Sequence, residues 1–100
     1  MITRIVKMSF MPEKVEDFKQ LFELYKTKIA AAEGCLSLQL LQTHQSSIFF
    51  TVSQWQEDKY LQQYRQSPLF AVVWSQTKTL FNAKPEAWTN DILFNSEAIL

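Results

Sequence analysis

The chain has 100 residues, with ten Lys plus Arg against ten Asp plus Glu, 47% apolar residues and 14% aromatic ones. This is the balance of one soluble globular domain over residues 1–100, burying roughly two thirds of the surface its unfolded form exposes. A single Gly (Gly34), a single Cys (Cys35) and a single His (His44) exclude Gly-rich phosphate cradles, Cys-based zinc sites, internal disulfides and His-rich metal clusters, and a reducing cytoplasm is the expected location. Zero net charge without a basic block, no apolar run of membrane-spanning length and no signal-type N-terminus predict that neither nucleic acid nor membrane is a partner.

Residues 2–10 place Ile2, Val6, Met8 and Phe10 in one phase, interrupted by Arg4, against Thr3, Ile5, Lys7 and Ser9 in the other; this period of two predicts a strand. From Pro12 the spacing changes to threes and fours at Val15, Phe18, Phe22, Tyr25 and Ile29, which predicts a helix of about five turns with one face on a core. Pro12 suits a first helical turn, Glu13 suits the positive end of the dipole, and Gly34 is the expected left-handed stop. Residues 35–42 alternate Leu36, Leu38 and Leu40 against Cys35, Ser37 and Gln39. Residues 48–55 alternate Ile48, Phe50 and Val52 against Phe49, Thr51, Ser53 and Trp55. The polar stretch 43–47, which contains His44, predicts the turn of an antiparallel hairpin.

Glu57 and Asp58 open a short helix carrying Tyr60, Leu61 and Tyr64. Ser67 and Pro68 then restart a helix as N-cap and first-turn Pro, carrying Phe70, Val73, Thr77, Leu80 and Phe81 up to Pro85. Residues 87–95 alternate Trp88, Asn90, Ile92 and Phe94 against Thr89, Asp91 and Leu93, which predicts a fourth strand. The order βαββαβ is that of the ferredoxin-like α+β fold, an antiparallel four-stranded sheet with its helices on one face. The other face is left open, with Ile5, Leu41, Phe49, Trp55 and Leu93 read as its apolar residues, so a homodimer that covers it is expected.

The segment 54–70, in which Trp55 ends a strand, Glu57-Asp58 opens a helix and Ser67-Pro68-Leu69-Phe70 marks a helix break, resembles the antibiotic biosynthesis monooxygenase domain family. The opening strand with Pro12-Glu13 and the turn Glu33-Gly34-Cys35 are similar as well, so the resemblance runs over residues 2–95. It implies a dimeric α+β barrel that oxidises a small aromatic, quinol or polyketide-type compound with O2 and needs no metal, flavin or haem cofactor. An electron-rich phenolate itself reduces dioxygen in such chemistry, and the protein supplies a dry pocket, orientation and a few polar groups.

Two departures from the family pattern bear on activity. Many members carry His where this chain has Tyr64 and Leu69, so the proton acceptor of those members has no counterpart at these positions. A haem-degrading branch uses an Asn on the first strand, a Trp on the short helix and a haem-ligating His on the next; Val6, Tyr64 and Trp74 stand at the matching positions, against haem degradation. The alternative to an enzyme is a non-catalytic dimeric small-molecule-binding domain of the same fold.

The substrate-binding candidates are Trp55, Tyr64, Phe70 and Trp74, walls for a flat compound; each also reads as a packing aromatic. The catalytic candidates are Tyr64, whose hydroxyl would orient a substrate oxygen, Arg4, whose guanidinium would stabilise a phenolate or carboxylate, and His44, a base near neutral pH. Arg4 also reads as a strand-end residue with its head in solvent, His44 as an exposed turn residue, Arg65 as a solvated helix residue, and Cys35 as a small buried hydrophobe.

Overall fold

A computed structural model describes residues 1–96; the last four residues of the domain expected over 1–100 lie outside the described residues. The elements in chain order are β1 (Ile2–Ser9), a 3-10 turn (Pro12–Lys14), α1 (Val15–Ala30), β2 (Cys35–Gln42), β3 (Ile48–Trp55), α2 (Asp58–Arg65), α3 (Pro68–Thr77), a second 3-10 turn (Lys78–Leu80) and β4 (Glu86–Asp91). The strands form one antiparallel sheet in the order β2-β3-β1-β4, and the helices cover one face. This is the ferredoxin-like α+β arrangement.

The helix-facing side carries the phase of β1 that holds Ile2, Arg4, Val6 and Met8. Two core clusters stand at opposite ends of it. Met8, Phe10, Phe18 and Phe49 form one, with Phe22, Leu40, Leu80 and Phe81 packed against it. Ile2, Trp55 and Leu61 form the other, joined by Cys35, Tyr60 and Tyr64. Phe10 is fully buried, stacked on Phe18 at 4.1 Å between ring centroids and edge-on to Phe49 at 5.6 Å. Phe18 and Ile29, on the predicted stripe of α1, are its buried residues.

The structure corrects the sequence reading at four places. The β3 phase is inverted: Phe49, Thr51, Ser53 and Trp55 face the helices. Register pairs Ile5 with Val52 and Trp88, and Leu41 with Phe50, so these five residues make the apolar part of the open face, and Phe49 and Trp55 do not belong to it. Second, β4 stops at Asp91; Leu93, 95% exposed, and Phe94, 79% exposed, follow the strand outside the sheet. Third, Pro12 opens a 3-10 turn, and the α-helix proper starts at Val15. Fourth, the helix caps at Ala31, whose N–H bonds back to the Thr27 carbonyl. Gly34 instead turns the chain into β2 with φ of 80°, where a Cβ would overlap the Tyr60 ring. Its carbonyl accepts from the Gln56 N–H at 2.9 Å, which ties the start of β2 to the end of β3.

Candidate functional site

A strand whose inward positions alternate large and small leaves space wherever the small ones line up across the sheet. On β3 the large inward residues Phe49 and Trp55 each fill a core cluster, and between them stand the short hydroxyl residues Thr51 and Ser53. A cavity of about 320 Å³ lies over them, between sheet and helices, within the roughly 300 to 1,000 Å³ typical of small-molecule sites. Two rows of the register run beneath it. One is Leu38, Ser53, Arg4 and Thr89, and the other is Leu40, Thr51, Val6 and Ala87.

Aromatic rings make the opposite wall. Ser67 sets their position, because its Oγ donates to the Tyr64 carbonyl at 2.6 Å and accepts from the Phe70 N–H at 3.2 Å, joining the end of α2 to the start of α3. Tyr64 stacks on Trp55 with centroids 5.5 Å apart and an interplanar angle of 28°. Phe70 meets Tyr64 edge-on at 5.4 Å, and Trp74 follows Phe70 at 5.8 Å. All four predicted binding candidates, Trp55, Tyr64, Phe70 and Trp74, therefore come together on one cavity. Trp55 is only 1% exposed, and its indole N–H is taken by Ser53 Oγ at 2.9 Å. Its ring is a backing layer behind Tyr64.

Of the catalytic candidates, Tyr64 and Arg4 line the cavity and His44 does not; His44 lies exposed in the β2–β3 turn, next to Gln45 with φ of 55°. Burial, and then the nearby Cys35 thiol, push the Tyr64 phenol up to about 12, so it is neutral at ordinary pH, and its O–H is a donor toward developing negative charge rather than a base. Its hydroxyl has no hydrogen-bond partner among the described residues. Arg4 extends inward from the middle of the sheet and donates from Nη1 to Thr89 Oγ1 at 2.9 Å. Partial burial, then repulsion from Arg65, lower its pKa against a smaller opposing pull from Asp58.

Arg65, read from sequence as a solvated residue, is exposed yet borders the same cavity. Nothing local in the sequence marks it, since a helix-end arginine beside a cavity has the same pattern as one in open solvent. Thr51 and Ser53 were also missed as floor residues; two hydroxyls in succession read as a solvent phase, although here they are the small side chains that make room. No group of three or more His, Cys, Asp or Glu suited to hold a metal ion occurs among the described residues, and no helix among them is long and apolar enough to cross a membrane.

Solved structures share this architecture over nearly its whole length. A protein of Mycobacterium tuberculosis, Rv0793, superposes with a TM-score of 0.87 at 17% identity, covering 95% of this chain and 97% of that one. A conserved protein from Methanosarcina mazei Go1 gives 0.82 at 22% identity, over 89% and 90%. SnoaB from Streptomyces nogalater, described as a cofactor-independent oxygenase, gives 0.84 at 12% identity in a mutant form, over 95% of each chain. No curated protein sequence matches significantly. The family model for antibiotic biosynthesis monooxygenase matches residues 1–73, which include β1 with Arg4, all of β2 and β3, and the Trp55, Tyr64 and Phe70 side of the cavity. The chain belongs to the antibiotic biosynthesis monooxygenase family.

Proposed function

We propose that this protein is a cofactor-independent monooxygenase that oxidises a small aromatic, quinol or polyketide-type compound with O2. The observation that carries this reading is the aromatic-walled cavity of about 320 Å³ with Arg4 and Tyr64 among its polar lining residues, in a member of this family. For a hydroxynaphthalene the balance is simple. The ring C–H opposite the hydroxyl becomes a carbonyl, one oxygen atom of O2 enters the product quinone, the other leaves as water, and the substrate supplies all the electrons. The protein's part is to hold the phenolate away from water, with the neutral Tyr64 hydroxyl and the Arg4 guanidinium placed to stabilise its charge.

One observation favours a second reading, a non-catalytic dimeric binding domain. Tyr64 stands where many family members carry His, and with its pKa near 12 it takes no proton from a substrate at neutral pH. O2 uptake by purified protein over a panel of hydroxynaphthalenes and quinols separates the two. The enzyme reading expects turnover above the uncatalysed background, lowered by Tyr64→Phe and by Trp55→Ala. Saturable binding without uptake across the panel supports the binding domain instead. Under either reading we place the chain in the cytoplasm as a homodimer packed through the open sheet face of Ile5, Leu41, Phe50, Val52 and Trp88.

A further inference from the structure

The cavity is lined mostly by apolar residues, and its charged lining residues are Arg4, Arg65 and Glu86, two cations against one acid. Arg4 interrupts the inward phase of β1 and lies in the row Leu38, Ser53, Arg4 and Thr89. Arg65 closes α2 directly after Tyr64, and both arginines border the same cavity. Bringing like charges together at the edge of an apolar space is unfavourable unless something offsets it. Among the described residues neither arginine forms an ion pair with a carboxylate, Glu86 on the same cavity included. The ion pairs among the described residues are Lys14–Asp17, Lys19–Glu16, Lys26–Glu23 and Lys59–Glu57. Arg4 is held by the Thr89 hydroxyl, and Arg65 donates to Gln62 Oε1 at 3.3 Å. The nearby acid, Asp58, accepts from Gln62 Nε2 at 3.2 Å and pairs with neither arginine.

We infer that Arg4 and Arg65 form an anion seat, and that the compound bound in this cavity carries a carboxylate on or next to its aromatic ring. A guanidinium presents paired N–H donors that match the two oxygens of a carboxylate. The adjacent rings of Tyr64 and Phe70 take the flat apolar body, and Thr89 and Gln62 already fix the two arginines without using up their charge. Partial burial, and then the Arg65 charge, lower the Arg4 pKa against a smaller opposing pull from Asp58, so the positive charge near Arg4 is only partly balanced. This inference deepens the proposed function and rests on the cavity being the ligand site; it does not require turnover.

The test compares 1-hydroxy-2-naphthoate with 1-naphthol, which lacks the carboxylate, by tryptophan fluorescence or calorimetric titration of the intact protein. The naphthoate is expected to bind about tenfold tighter or more, the scale of a charge-assisted hydrogen bond. Arg4→Gln should weaken 1-hydroxy-2-naphthoate far more than 1-naphthol and so remove most of that preference, and Arg65→Gln, at a more exposed site, should reduce the preference by about threefold. Arg4→Lys keeps the charge and should retain part of the preference, which guards against a mere folding defect. Equal affinity of the two compounds for the wild type, or variants that weaken both alike, would overturn the anion seat while leaving an aromatic site. Failure of both to bind would overturn the seat together with the cavity as an aromatic site, whatever O2 uptake shows for other compounds.

Discussion

The Tyr64 ring lies stacked on Trp55, 5.5 Å between centroids and 28° from parallel, so Trp55 supports the cavity wall from behind while Tyr64 is the surface a ligand meets. Burial in that stack holds the Tyr64 phenol at about 12, against 10.0 for a free tyrosine. Stability should then depend on alkaline pH. The folded state keeps the proton that the unfolded chain loses above pH 10, so the stabilisation is whole below that pH and is lost as pH rises toward 12. Over the window the loss is roughly 2 to 3 kcal/mol at about 1.4 kcal/mol per unit. Urea denaturation between pH 8 and 11.5 should show a steeper decline for the wild type than for Tyr64→Phe. Identical slopes would mean that the hydroxyl is not buried as described.

Ser67 couples the two halves of the aromatic wall through one hydroxyl, which donates to the Tyr64 carbonyl and accepts from the Phe70 N–H. Ser67→Ala should cost about 1 kcal/mol, the ordinary cost of a lost N-cap. Ser67→Asp keeps the acceptor and gives up the donor, so it should recover the α3 cap while leaving the α2 end loose. Ligand titration would then separate the two effects: stability near wild type in Ser67→Asp, but weaker binding of an aromatic compound if the relative placement of Tyr64 and Phe70 matters.

How legible all this was in the sequence depends on which residues carried the pattern. The stripe Phe18, Phe22 and Ile29 and the β1 phase were plain because their inward residues are large and apolar, and Ser67-Pro68 named its own helix start. β3 misled because both of its phases carry aromatics, and the phase with more aliphatic residues, Ile48, Phe50 and Val52, reads as the core. The true inward phase has Thr51 and Ser53 at its centre because an empty space lies over them. A hydrophobic pattern records what fills a core; a cavity appears in it only as residues too small and polar for the place they occupy. Arg4 was the same kind of signal, an inconsistency in an inward phase. Arg65 was not legible, since nothing local distinguishes a helix-end arginine beside a cavity from one in open solvent.

Gly34 is the one glycine of the chain, and it has two independent reasons to be one. Its φ of 80° disfavours any L side chain, and the Tyr60 ring occupies the place of a Cβ. Gly34→Ala should destabilise by roughly 2 to 4 kcal/mol, the left-handed backbone and the overlap each contributing about 1 to 2. A double-mutant cycle with Tyr60→Ala separates them. If the overlap is real, the double variant loses less than the two single changes added together. Simple additivity, measured by chemical denaturation, would leave backbone conformation as the only reason.

The open sheet face makes a prediction about assembly. Ile5, Phe50 and Val52 lie in adjoining register rows with Leu41 and Trp88, which are 46% and 44% exposed, and no helix among the described residues covers them. Leu93 and Phe94, exposed beyond β4, add apolar surface at the end of the same strand. An uncovered sheet face of this kind is a hydrophobic patch of the sort that association buries. Sedimentation equilibrium at micromolar concentration should therefore return twice the mass of one chain. Phe50→Glu, which sets a charge at the middle of the patch opposite Leu41, should shift the protein toward monomer. Phe50 points away from the cavity, so a monomeric variant that keeps its aromatic-ligand affinity would place the whole site within one chain, and a parallel loss of affinity would mean that the partner completes it. A wild type that sediments as a monomer would remove the dimer from the proposal and leave the patch to be explained by another partner.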